Sequence, residues 1–221
     1  MPEGYRYRFA VTFRTRAVSS GMTVSVQTSE TGHPRVPLTH RRTLFVRALE
    51  AYSRRRYGGV LDPGLVALHN RRVLLTLIET ETSAARWNRL DHTVKALATM
   101  AAAATIGCEW CLDYGYWESH NRGVPVVKLE QIARWREAEV YSELERAVIG
   151  FAEAMSATPP SVSDRQVDEL RQWFDNGQIV ELTAMVALEN LRSRTNAAMG
   201  LTGQGFKDRC KPVGQDRVHE Q

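Results

Sequence analysis

The stretch Met100-Ala-Ala-Ala-Ala-Thr-Ile-Gly107-Cys-Glu-Trp-Cys-Leu-Asp-Tyr-Gly115 decides how this 221-residue chain folds. Alanine is the best helix former, and its small side chain lets neighbouring helices approach closely. The run therefore reads as a helix packed inside others. Gly107 interrupts it, and a second helix carrying Cys108 and Cys111 follows. A helix places positions i and i+3 on one face, about 5–6 Å apart between Cβ atoms. A disulfide needs Cα atoms about 4.4–6.8 Å apart, so this pair can open and close with little backbone movement.

Working outward, the period is helical from Leu38 onward. Leu44, Phe45, Ala48, Leu49 and Tyr52 recur at threes and fours, with Arg41, Arg42, Arg47 and Arg54 on other faces, and Gly58-Gly59 ends that helix. Asp62-Pro63 opens the next, with Asp62 as cap, running toward Arg86 with a break near Asn70. Asp91 caps a third, whose buried side is expected from Val94, Leu97, Ala98, Ala101 and Ala104-Thr-Ile106. The cysteine helix runs to about Asn121, with Gly123 as its stop. Further helices are expected at Lys128–Trp135, Ser142–Ser156, Asp164–Phe174 and Gln178–Met199, closed by Gly200. No alternating strand pattern follows residue 38. The architecture expected is an all-α bundle of about eight helices.

Residues 1–37 differ: Tyr5–Phe13 alternates weakly like a strand, and Ser, Thr, Gly and Pro then dominate. They read as a loosely ordered extension, with Met22 as a second possible start. The helical domain is expected over 38–208 and a polar tail over 209–221. Composition, at 43% hydrophobic and 24% charged, is that of a globular chain. No run approaches the roughly 20 apolar residues a membrane helix needs. No secretory signal pattern opens the chain, so the cytoplasm is the expected compartment. Residues 1–58 carry eleven arginines against three acidic residues. A solvated basic face accounts for these, and without a recognisable motif neither nucleic acid nor membrane is an expected partner.

With only Cys210 beyond the pair, the chain is neither a disulfide-stapled framework nor a four-cysteine zinc module. In a reducing compartment a Cys-x-x-Cys is more often catalytic or metal-binding than structural. Gly107 would leave unpaired N–H groups of the new first turn facing the sulfurs, which favours thiolate. One cysteine would attack an electrophile and the other resolve the product into a disulfide. Zinc would need two further ligands. His120, the nearest histidine, lies about 180° around the helix from Cys111. Two small core residues one turn apart is the plain structural alternative.

The segment Gly107-Cys-Glu-Trp-Cys-Leu-Asp-Tyr-Gly115 resembles the alkylhydroperoxidase D and carboxymuconolactone decarboxylase superfamily. Arg86-Trp-Asn-Arg-Leu90 and Glu189-Asn-Leu-Arg-Ser-Arg-Thr-Asn196 look like its Cys-x-x-Cys branch, and the resemblance runs from about residue 38 to about 208. It implies an all-α fold assembling as trimers or hexamers. It also implies Cys111 as nucleophile, Cys108 as resolving thiol, and thiol-dependent reduction of a hydroperoxide or other small electrophile. Electrons would return from a dithiol reductant, either a lipoyl protein or a thioredoxin-like partner, and no metal or organic cofactor is implied. Two alternatives stand beside it: a cofactor-free acid–base enzyme of the decarboxylase type, and a non-catalytic redox-sensing scaffold.

The peroxidase pattern also has a histidine four residues after the second cysteine and a glutamate about twelve before the first. Here Gly115 and Ala96 stand there. Possible supporting groups are Tyr114, at i+3 from Cys111, and Glu118, two turns along at roughly 10.5 Å of rise. Glu181, Glu189 and Arg192 are candidates from another helix, although ordinary inter-helix pairing fits them better. Glu109 and Asp113 would raise, not lower, a neighbouring thiol's pKa. Trp110, Tyr114, Tyr116 and Trp117 read as core or interface aromatics before they read as a substrate pocket. Cys210 reads as an incidental thiol in the tail.

Overall fold

The computed structural model describes residues 33–210. The weak strand at Tyr5–Phe13, the second start at Met22 and the end of the tail lie outside them. The described residues form nine α-helices and two 3-10 turns, with no strand among them. The helices are α1 (Leu44–Tyr57), α2 (Asp62–Ala67), α3 (Arg71–Ala84), α4 (His92–Ile106), α5 (Glu109–Asn121), α6 (Val126–Gln131), α7 (Glu143–Ser156), α8 (Asp164–Arg171) and α9 (Asn176–Ala198). The ninth helix comes from the break at Asn70, whose side chain caps α3 by accepting from Arg72 N and Val73 N.

Helix ends follow side-chain chemistry. Asp91 caps α4 through Thr93 N, and Ser142, Ser163 and Asp175 each open a helix with a reciprocal capping box. Each such cap satisfies N–H groups that the first turn leaves without partners. Asp62 is not a cap: it is the first residue of α2, behind Leu61, and no side chain caps that helix. Pro63 in the first turn supplies the preset φ instead.

Helix α4 is the spine, packing against α5, α7 and α9. Its Leu97, Ala98, Ala101 and Ala102 meet Val148, Ile149 and Ala152 of α7 and Leu182 and Val186 of α9 in one apolar cluster. A large aliphatic side chain buried this fully contributes about 1.5–3 kcal/mol. The buried alanines run from Ala101 to Ala103. Ala104 and Ile106 are half-buried and Thr105 is exposed, because the packed face turns away as α4 reaches Gly107.

Two ion pairs fix the frame. Lys95 on α4 meets Glu181 on α9 at 2.6 Å, and the same carboxylate accepts from Arg89 N and Leu90 N. Lys128 on α6 meets Glu145 on α7 at 2.6 Å. Helix α1 is only partly covered. It buries Val46 and Ser53, while Leu44 and Tyr52 of the apolar stripe stand 82% and 60% exposed. Ser53 turns inward because its hydroxyl donates to Gly59 O and accepts from Leu61 N, stitching the following turn.

Candidate functional site

The junction of α4 and α5 is built by Gly107. It sits at φ +79°, the left-handed region that favours glycine, and its N–H closes on Ala103 O. Cys108 follows with extended backbone and becomes the N-cap of α5; its Sγ accepts from Cys111 N at 3.2 Å. The Cα atoms of Cys108 and Cys111 are 5.3 Å apart and their sulfurs are bonded. Cys108 is 1% exposed and Cys111 7%, so Cys111 is the member nearer solvent. The broken helix thus brings the pair together as its spacing requires.

Phe206, wholly buried, follows α9 in a loop and belongs to the same apolar cluster as Cys108, Cys111, Trp110, Ala103 and Leu201. It lies edge-on to Tyr114 (5.3 Å between centroids) and Trp110 (6.3 Å), and Trp110 stacks on Tyr114 at 5.1 Å. The aromatics therefore pack chiefly with one another, as core. Asp113 holds this loop by accepting from Gln204 N (2.7 Å), Phe206 N (3.0 Å) and Lys207 N (2.8 Å). Gln204 Oε1 accepts in turn from Trp110 Nε1 and Asp62 N.

Tyr114 is committed to this stack. Burial pushes its phenol pKa far up, and its hydroxyl makes no hydrogen bond to either sulfur among the described residues. Glu118 gives its carboxylate to Arg122 at 2.7 Å. His120 stacks on Tyr116, its Nδ1 buried without a partner, and no group of three or more metal-ligating side chains occurs among the described residues. Cys210 is half-buried against the main core. Burial, and then Asp113, push its thiol pKa up.

The histidine position of the peroxidase pattern is crowded by one side chain. A Cβ on Gly115 would lie 2.7 Å from the Met100 thioether sulfur. Polar groups come instead from α9, where Glu189, Ser193 and Asn196 share one face and are 5%, 0% and 4% exposed. Ser193 Oγ donates to Glu189 Oε1 at 2.7 Å, and Arg192 bridges Glu189 (3.2 Å) to Glu81 (2.8 Å). Burial pushes the Glu189 carboxyl pKa up despite Arg192. For Glu181 burial acts the same way, but the Lys95 ammonium and two backbone N–H groups prevail and hold it below the usual range. Asn196 Nδ2 donates to Cys111 Sγ at 3.4 Å. Sequence reasoning gave Asn196 no role, although polar residues at 189, 193 and 196 in register with Leu182 and Val186 were a legible signal.

The model of the carboxymuconolactone decarboxylase family matches residues 71–154. The Escherichia coli (strain K12) uncharacterized protein YnjA is 37% identical over 117 residues, 53% of this chain. The match spans 64% of that relative's length. A Ralstonia eutropha JMP134 peroxidase-related protein, described as an alkylhydroperoxidase AhpD core, superposes with a TM-score of 0.68 at 17% identity, covering 79% of this chain and 94% of that one. The debrominase Bmp8 superposes with a TM-score of 0.66 at 19% identity, over 75% of this chain and 89% of its own. These two likenesses establish the shared fold.

Proposed function

We propose, for a chain that belongs to the alkylhydroperoxidase D and carboxymuconolactone decarboxylase superfamily, a dithiol oxidoreductase cycle in which Cys111 attacks and Cys108 resolves. The observation that carries it is the bonded pair at the N-terminus of α5, with Cys111 the less buried sulfur. In this cycle the Cys111 thiolate attacks a hydroperoxide oxygen. The O–O bond breaks, the alkoxide leaves and is protonated to the alcohol, and the sulfur is oxidised to a sulfenic acid. The Cys108 thiolate then attacks that sulfur, the S–O bond breaks, hydroxide leaves as water and the disulfide forms. An external dithiol, lipoyl or thioredoxin-like, reduces the bond and departs as its own disulfide. The N–H of Cys111 that reaches Cys108 Sγ favours thiolate there, which suits Cys108 both as resolving nucleophile and as leaving group.

The exposed apolar residues on α1, and Val73, Leu75 and Ile78 on α3, support assembly with further copies of the chain. No helix among the described residues is long and apolar enough to cross a membrane.

The test mixes reduced protein with an organic hydroperoxide and dihydrolipoamide. The proposal expects hydroperoxide-dependent oxidation of many dihydrolipoamide molecules per chain, lost in Cys111→Ser and in Cys108→Ser. Peroxide that leaves both thiols free overturns it. One disulfide formed without turnover marks a sensor, and activity on a lactone acid that persists in the double serine variant marks an acid–base enzyme.

A further inference from the structure

We propose that Asn196 is the hydrogen-bond donor that stabilises the Cys111 thiolate, an assignment that rests on the dithiol reading above. The Asn196 amide is buried, and its Nδ2 points at Cys111 Sγ from a helix 85 residues away in sequence. It is the one side chain among the described residues that donates a hydrogen bond to this sulfur.

The surroundings leave this task to no other group. On α5, the Asp113 carboxylate is taken up by three backbone N–H groups of the loop, Glu118 is paired with Arg122, and Glu109 is exposed. On α9, Glu189 is held by Ser193 and Arg192. From the loop, Lys207 places its ammonium over the Tyr116 ring, and Cys210 packs on the main core. The titratable residues of α4, His92 and Lys95, lie at its far end, with Lys95 bound to Glu181. Gly115, one turn from Cys111, offers no side chain, and a Cβ there would meet the Met100 sulfur at 2.7 Å. A neutral amide suits this enclosed place: it donates to a thiolate without bringing a second buried charge that would itself need a partner.

The step assigned to Asn196 is limited. When the disulfide is reduced, its N–H donates to the negative sulfur of Cys111 and favours the ionised thiol over the neutral one. It takes no proton and forms no covalent bond.

The experiment uses the full-length chain carrying Cys108→Ser and Cys210→Ser, so that Cys111 is the only thiol. The absorbance of the thiolate near 240 nm is followed against pH, and the rate of alkylation by iodoacetamide is measured at neutral pH. Asn196→Leu, of similar volume, removes the donor. The thiol pKa is expected to rise by about one unit and neutral-pH alkylation to fall about tenfold. Asn196→Ala, smaller and easier to accommodate, is expected to shift the same way and carries the test if the leucine variant loses its helical circular dichroism. Midpoints in both variants equal to that of the parent overturn the assignment. Neither readout involves a substrate, so the two proposals fail separately. A shifted midpoint without hydroperoxide turnover leaves Asn196 in place and removes the peroxidase cycle. Turnover with unmoved midpoints does the reverse.

Discussion

Asp113 and Phe206, 93 residues apart, are joined by a 3.0 Å hydrogen bond from the Phe206 backbone N–H to the Asp113 carboxylate, two residues beyond Cys111. That contact, with the bonds from Gln204 N and Lys207 N, fastens the loop after α9 to the cysteine helix and keeps Phe206 in the apolar cluster that contains both cysteines. Hydrogen bonds to a charged group contribute about 1.5–3 kcal/mol each. Asp113→Ala should therefore cost the fold about 3 kcal/mol in urea unfolding and, by loosening this loop, speed reduction of the disulfide by dithiothreitol. Unaltered reduction kinetics would mean that Phe206 does not control access.

The two cysteines should be distinguishable by trapping. Oxidised wild-type protein should expose one reactive thiol on denaturation, that of Cys210, and three after reduction. In Cys108→Ser, a hydroperoxide should leave Cys111 as a sulfenic acid that a dimedone-type probe captures. In Cys111→Ser the probe should capture little at Cys108, which is the more deeply buried of the two. Equal labelling at both sites by mass spectrometry would remove the distinction between the two roles, and stronger labelling at Cys108 would reverse them.

Restoring the missing histidine should fail for steric reasons. Gly115→His collides with the Met100 sulfur and should lower stability by about 1–3 kcal/mol, the usual cost of overpacking, without raising the rate. Combining it with Met100→Ala should recover part of the loss. Thermal unfolding of the single and double variants reads both effects.

The two buried glutamates of α9 should give opposite pH responses. Glu189 has its folded pKa raised, so its contribution to stability is full below the unfolded value near 4.5 and is lost as pH rises through the folded value. Glu181 has its folded pKa lowered, so its contribution is present above that same unfolded value and is lost as pH falls through the folded one. Glu181→Gln should then destabilise most at neutral pH and least in acid, whereas Glu189→Gln should flatten the decline of stability above about pH 4.5. Urea midpoints from pH 3 to pH 8 decide both.

If further copies cover the apolar residues of α1 and α3, light scattering should return a multiple of the chain mass. Leu75→Asp, at a position 46% exposed in the single chain, should then lower that mass and leave the helical circular dichroism intact. A monomer at all concentrations would require another account of these residues.

Most of the fold was legible from local chemistry. Asp91, Gly58, Gly107, Gly123 and Gly200 mark helix boundaries because caps and left-handed residues act within one turn. The cysteine geometry was legible for the same reason, although Cys108 is the extended cap ahead of the helix expected to carry both: a spacing of three residues across a helix start still fixes a short distance. The exposed side of α1 was not legible because an apolar stripe records which face needs burial, not whether this chain supplies the cover.

By itself, then, the sequence determined an all-α chain with a Cys-x-x-Cys pair at a broken helix, since helix period, caps and the i, i+3 distance are short-range properties. Only the tertiary structure decided what surrounds the cysteine helix: Asn196 from α9 on Cys111, the loop held by Asp113, and Met100 beside Gly115. These contacts join residues 15 to 94 positions apart. They depend on how α4, α5 and α9 cross and where the loop after α9 closes, which no local periodicity encodes.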